Sequence, residues 1–253
     1  MPEAPYLSVV IPCWNEQKNL ESGVLDEVHR YLARQAFSWE VIVVDDGSTD
    51  ASRSLVEAAV RESENTSLLD VPHGGKPAAV WAGIQQARGE LVLATDMDQS
   101  TPIAELDKLL PWYAKGFDVV VGSRGLARAG DSPLRKVGSF AFAILCRALR
   151  LTRVDDALCG FKSWRRRAAL EVFPHLRYFR RSRKPAGWRV SAYDVELLYL
   201  FDNAGYRIVE VLVDWQNRDR SDTKRSRGAY VAESLAMMAE VIRLRFKRAN
   251  QPW

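Results

Sequence analysis

The chain has 253 residues, enough for one large domain or one domain with an appendage, and its 47% hydrophobic and 27% charged residues are ordinary for a globular protein. No apolar run reaches the ~20 residues that span a bilayer. The N-terminus shows no basic segment followed by an apolar core, so no secretory signal is expected, and Cys13, Cys146 and Cys159, odd in number and far apart, suggest a reducing compartment and not a disulfide framework or a zinc site. The net charge of +4 hides an asymmetry: residues 1–133 carry 11 basic and 20 acidic side chains, residues 134–190 carry 15 and 3, and residues 191–253 carry 10 and 9. The basic middle block requires an anionic partner, whether phosphate, nucleic acid or an anionic membrane surface.

In chain order, residues 7–12 form a short β-branched strand stopped by Pro12, and a helical stretch runs from Asn15 and Glu16 to about Gln35. Residues 39–44 are a second buried strand that ends in Asp45 and Asp46; turn residues 47–50 then lead a helix to about Glu64. Residues 67–71 make a third strand, residues 73–76 a glycine turn, and residues 77–88 a helix with proline in its first turn. Residues 90–94 are the fourth strand, residues 102–115 a helix, and residues 117–121 the fifth strand, followed by Gly122, Ser123 and Arg124. This alternation predicts βαβ units and a mostly parallel sheet with helices on both faces, so that the strand ends carrying Pro12, Asp45, Asp46, Asp96, Asp98 and Arg124 share one edge.

The second half differs in character. Residues 132–150 have helical apolar spacing through Phe140, Ile144 and Leu145, with basic ends, and read chiefly as a core helix with a membrane-surface alternative. Residues 155–162 are a turn into a strand, residues 177–189 a basic loop, residues 191–204 a helix, and residues 206–215 an alternating strand. Residues 216–228 are polar and expected to be mobile; residues 230–247 form a final amphipathic helix with Val231, Leu235, Met238, Ile242 and Phe246 on one stripe and a basic end.

The chemistry centres on Asp96 and Asp98, one residue apart just after the fourth strand. Ligands of open parallel sheets bind beyond the strands' carboxyl ends. Two carboxylates there suit Mg2+ or Mn2+ shared with substrate phosphates. No G-x-G-x-x-G follows the first strand and no phosphate-binding G-x-x-x-x-G-K-[ST] occurs, which argues against the usual dinucleotide fingerprint and against a P-loop NTPase. Phosphates would then be held by a metal and by Lys or Arg.

Val9 to Glu16, Val43 to Asp50, and Asp96-Met97-Asp98 together resemble, in order and spacing, the signatures of family 2 inverting glycosyltransferases with the GT-A fold. Gly75-Lys76, residues 95–102, Gly122-Ser123-Arg124, Asp156 with Cys159-Gly160-Phe161-Lys162, and residues 193–197 narrow the resemblance to the polyprenyl-phosphate hexosyltransferases, nearest to the dolichyl-phosphate β-glucosyltransferases. The resemblance implies a Rossmann-like GT-A domain over residues 1–226, with a nucleotide-sugar half (1–125) and an acceptor half (126–226) that adds strands and amphipathic helices, and a basic amphipathic helix over 227–253.

It also implies roles. Pro12, Trp14 and Glu16 line the nucleoside pocket; Asp46 or Asp45 bonds the base or ribose; Lys76 supports the same pocket. Asp96, Met97 and Asp98 hold the donor, the two acids through the metal. Arg124 and Arg135 bind phosphates, and Asp156, Asp194 and Lys224 lie on the acceptor side, with Asp98, Asp194 and Arg124 as the catalytic set. Trp14 stands where tyrosine is usual, Met97 where alanine is, and Gln99 where leucine is. The expected reaction moves a hexose, glucose from UDP-glucose, to a polyprenyl phosphate at the cytoplasmic face of a membrane. The alternatives are GDP-mannose as donor, a sugar or protein hydroxyl as acceptor, and, from another class, a nucleic-acid binder using the basic block. Against the last, Phe140, Phe142, Phe161 and Trp164 are patterned as core and not as stacking platforms.

Overall fold

A computed structural model describes residues 4–125, 133–180, 192–220 and 227–248, the side chains of 133–137, 139, 227–234 and 247–248 excepted. The elements of the first half are β1 (Leu7–Cys13), α1 (Gln17–Leu20), α2 (Val24–Leu32), β2 (Trp39–Asp45), α3 (Ser52–Glu62), β3 (Thr66–Asp70), α4 (Lys76–Gln86), β4 (Leu91–Ala94), α5 (Leu106–Leu109), α6 (Pro111–Ala114) and β5 (Val119–Ser123). The second half adds α7 (Pro133–Ala148), β6 (Lys162–Arg165), α8 (Arg166–Val172), α9 (Arg177–Arg180), α10 (Tyr193–Asn203), β7 (Ile208–Leu212) and α11 (Arg227–Arg248).

The seven strands among the described residues form one sheet in the order β3-β2-β1-β4-β6-β5-β7. It is parallel except for β6, which runs antiparallel between β4 and β5 with Trp164 opposite both Val92 and Val119. The near-continuous apolar strands are explained by burial on both faces. Val10, Ile42, Val44 and Val92 pack on one side with Val80 and Ile84 of α4, Phe173 and Phe201. Val9, Ile11, Val41, Val43 and Leu93 pack on the other with Val28 and Leu32 of α2 and Val56 of α3.

The sheet reverses its direction of growth between β1 and β4, and there a crevice opens. Pro12 does not stop β1. The strand runs to Cys13, paired with β2 alone, because the pairing with β4 ends at Val10 opposite Ala94. The carbonyl of Val10 accepts from Thr95 on the β4 side, and that of Cys13 from Asp46 on the β2 side. By strand alternation Pro12 therefore turns its missing N–H toward the side where no partner strand remains, the one place a central strand tolerates proline.

Other expectations are corrected. The helix over 15–35 breaks at Gly23, whose φ of +82° ends one helix and starts another. The helix over 102–115 divides into a 3-10 turn (Ile103–Glu105), α5 and α6, with Pro111 opening the last. Residues 216–220 are pinned: Gln216 N–H donates to the Ser100 carbonyl at 2.8 Å, the Arg218 guanidinium meets Glu27 at 2.7 and 3.0 Å, and Arg220 N–H donates to Asn19 Oδ1 at 3.0 Å. Of the α11 stripe, Leu235, Ile242 and Phe246 are exposed (62%, 40% and 69%) and Met238 packs partly buried against the core, while Met237, Val241 and Leu244 beside it are buried. On α7, Phe142 and Cys146 are buried but Phe140 is 53% exposed, so Phe140 is not core.

Candidate active site

The loops after β1 and β2 are laced together at the carboxyl edge. Asn15, at φ +55°, receives the Ser48 hydroxyl as acceptor for its N–H (3.0 Å) and accepts Thr49 N–H at its Oδ1 (2.8 Å); Glu16 N–H donates to Ser52 Oγ at 2.7 Å. Asp45 and Asp46 then separate in role. Asp46 is fully buried and accepts from Gly74 N–H and Gly75 N–H, each at 2.8 Å, and from His73. Its oxygens tie the β3–α4 loop to β2. Among the described residues Asp45 keeps only long contacts of 3.3 and 3.4 Å with Ser48 N–H. Trp14 stacks on His73 with ring centroids 4.9 Å apart and planes 16° apart.

Lys76, the first residue of α4, pairs with Asp96 at the end of β4. Burial disfavours both charges, yet each stays ionised: Lys76, Lys162 and Arg124 draw the Asp96 carboxyl below its ordinary value, and Asp96, Asp194 and Asp98 hold the Lys76 ammonium above its own. Asp98 is pushed up, first by burial and then by Asp96, and its Oδ1 accepts Ser100 N–H at 2.8 Å. Between them Met97 is buried in the core, and Gln99, at φ +49°, donates to the Asp96 carbonyl at 2.9 Å. Gly160 closes the wall: a Cβ there would lie 2.7 Å from Asp96 Cγ and overlap the carboxylate. Gly160→Ala therefore must swing Asp96 away from Lys76. The expected result is a loss of activity of roughly 100-fold, the scale of an ångström-sized misplacement, with the fold retained; unchanged kcat and KM would refute the close approach.

Glu16 lies in the same acidic field. Burial, then Asp219, Asp98 and Asp96, raise its carboxyl to about 8 against an opposing hydrogen bond from Asn19 at 2.5 Å. A carboxyl raised on folding contributes stability that is full below its unfolded value and is lost as pH climbs to its folded value. In metal-free buffer the melting temperature of Glu16→Gln is therefore expected to match wild type near pH 4.5 and to exceed it by a few degrees above pH 8. A constant difference across that window would count against the buried acid.

Arg124 follows β5 and is fixed by Asp156, which accepts its Nε and Nη2 at 2.7 Å each and its backbone N–H at 2.9 Å. Asp156 thus positions Arg124. Asp194 and Glu196 point to different sides of α10: Asp194 pairs with the buried Lys162 at 2.7 Å, and Glu196 accepts Arg177 N–H at 3.1 Å. The side chain of Arg135 and all of Lys224 fall outside the described residues.

The structure brings Lys76, Asp96, Asp98, Arg124, Lys162 and Asp194 into one electrostatic cluster, with Glu16 and Asp219 beside it. Lys162, Gly160 and His73 had no role from sequence. A lysine between Phe161 and Trp164, both buried, was the available signal for the first. Among the described residues no three His, Cys, Asp or Glu side chains form a metal-binding group. Two crowded hard-oxygen donors fit a divalent ion that takes its other ligands from phosphate and water.

A mostly parallel sheet that ends in paired acids at its switch point is the arrangement of GT-A nucleotide-sugar transferases, and solved structures agree in fold. Glucosyl-3-phosphoglycerate synthase from Mycobacterium tuberculosis, in complex with Mn2+, UDP and glucosyl-3-phosphoglycerate, superposes with a TM-score of 0.67 at 21% identity over 95% of this chain and 80% of that one. A Pyrobaculum calidifontis mannosyltransferase in complex with GDP-Man and Mn2+ gives 0.65 at 18% identity over 100% and 66%. The chain belongs to Glycosyl transferase family 2, whose model matches residues 8–173, and it is a glycosyltransferase. Similar proteins include dolichyl-phosphate beta-glucosyltransferases of Dictyostelium discoideum (32% identity over 98% of this chain and 76% of the relative) and Homo sapiens (33% over 83% and 67%).

Proposed function

We propose that this glycosyltransferase moves glucose from UDP-glucose to a polyprenyl phosphate, with inversion, at an anionic membrane surface. The observation that carries the acceptor class is the Asp194–Lys162 pair. A hydroxyl nucleophile needs a general base, whereas Asp194 is held by a buried ammonium. A phosphate oxygen is already anionic and needs positioning alone. The relatives' name, dolichyl-phosphate beta-glucosyltransferase, supports the same sugar and acceptor.

In this reading Asp96 and Asp98 hold Mg2+ or Mn2+, which supplies Lewis-acid stabilisation of the departing diphosphate. Lys76 keeps Asp96 ionised and aimed. Arg124, locked by Asp156, presents a fixed positive charge where negative charge builds on the leaving group. In-line attack by the acceptor oxygen on C1, opposite the leaving diphosphate, inverts the anomeric carbon.

No described helix is long and apolar enough to cross a membrane. Support for surface binding comes from α7 and α11, which pack together and expose Phe140, Ile144, Leu235, Ile242 and Phe246, with Arg243 and Arg245 in sequence beside the last two. Apolar side chains with basic neighbours suit an anionic interface.

The test is product formation with UDP-glucose or GDP-mannose against a polyprenyl phosphate or a free hydroxyl acceptor, each with Mn2+ or a chelator. Transfer from UDP-glucose to the lipid phosphate alone is expected; transfer only to a hydroxyl would refute the acceptor. Phe246→Asp with Leu235→Asp is expected to reduce sedimentation with phosphatidylserine vesicles severalfold, and unchanged sedimentation would refute the surface.

A further inference from the structure

We propose that His73 reads the donor's nucleobase, its Nε2 accepting a ring N–H of an imide-type base: N3–H of uracil or the equivalent N1–H of guanine. This rests on the nucleotide-sugar reading above and transfers base recognition from Asp46 to its neighbour. The Asp46 carboxylate is buried and occupied by Gly74, Gly75 and His73. The imidazole Nδ1 lies 2.9 Å from the Asp46 carbonyl oxygen and 3.0 Å from its Oδ2. Both are acceptors, so Nδ1 carries the proton, and in the neutral ring Nε2 is then an acceptor.

Among the described residues no hydrogen bond engages Nε2. The side chain is 28% exposed and sits on the loop after β3, at the carboxyl edge beside the ends of β1 and β2. Trp14, stacked on one face, fixes the ring plane and hence the direction of the lone pair. A fixed acceptor favours a base edge that presents a ring N–H. Cytosine N3 and adenine N1 are acceptors themselves and would leave two lone pairs facing each other.

The experiment is calorimetric binding of UDP, CDP and N3-methyl-UDP with Mn2+ to wild type, His73→Ala and His73→Phe. The phenylalanine keeps a ring against Trp14 without either nitrogen, and melting temperatures check folding. Wild type is expected to bind UDP at least about tenfold more tightly than N3-methyl-UDP or CDP, and both variants to bring the UDP to N3-methyl-UDP ratio near one. A merely structural role for His73 would weaken all three ligands together and leave that ratio standing, which would overturn the proposal. So would a wild type indifferent to N3-methylation, or a ratio lost in Asp45→Asn but kept in both His73 variants. Binding of GDP without UDP would sink the UDP donor while the same ratio, taken with N1-methyl-GDP, still decides the role of His73. No nucleotide binding at all would overturn both readings.

Discussion

Asp98→Asn is expected to lower glycosyl transfer at least ~1,000-fold while the melting temperature stays at or slightly above that of wild type. The amide oxygen preserves the acceptor for Ser100 N–H, so the turn after β4 keeps its bond. What disappears is a charge that burial and Asp96 already disfavour, so its loss relieves strain on the fold. Under the proposed metal role catalysis would lose a hard-oxygen ligand, and Lewis-acid stabilisation worth several kcal/mol corresponds to about three decades of rate. The measurement pairs transfer kinetics with a thermal-shift titration of UDP in the presence and absence of Mn2+. Loss of both turnover and the Mn2+-dependent shift is expected; full activity would remove Asp98 from the metal site.

Asp156→Ala acts on stability first. The carboxylate is buried and accepts three bonds from Arg124. Its removal leaves a guanidinium and a backbone N–H without that acceptor in a low-dielectric place, and breaking a buried pair from one side costs about 3–5 kcal/mol. Denaturant unfolding should show this loss, and the double variant Arg124→Met/Asp156→Leu should recover a large part of it, since no charge is then stranded. Both variants should have little transferase activity, because the fixed cation beside Asp96 is displaced or gone. Equal stability of the single variant and wild type would show that solvent reaches Arg124 freely.

The placement of the candidate site was legible because its acids end apolar strands. A run such as Val41 to Val44 followed by Asp45 and Asp46 locates a strand end, and strand ends of a parallel sheet share an edge. Asp96 and Asp98 are indeed placed there with Lys76 and Arg124. The individual duties were not legible. Asp45 and Asp46 are chemically identical neighbours, and only the return of the β3–α4 loop, with two glycine N–H groups and a histidine, consumes one and spares the other. Lys162 looks like any basic residue of a basic block until β6 inserts between β4 and β5 and buries it against Asp194.

Local pattern was sufficient for the α/β class, the shared strand-end edge and the acidic pair, because each depends on residues a few positions apart. It was sufficient also to show that α11 carries an apolar stripe, since helical period is a local property. Which face of that helix the protein covers depends on what packs against it. Contacts from α7 and α10 bury Met237, Val241 and Leu244 and leave Leu235 and Phe246 outside. The same holds for the pairing of Arg124 with Asp156, 32 residues apart, and for Trp14 stacked on His73. Tertiary structure alone decided these, because burial and partner choice are set by segments that meet only when the sheet closes.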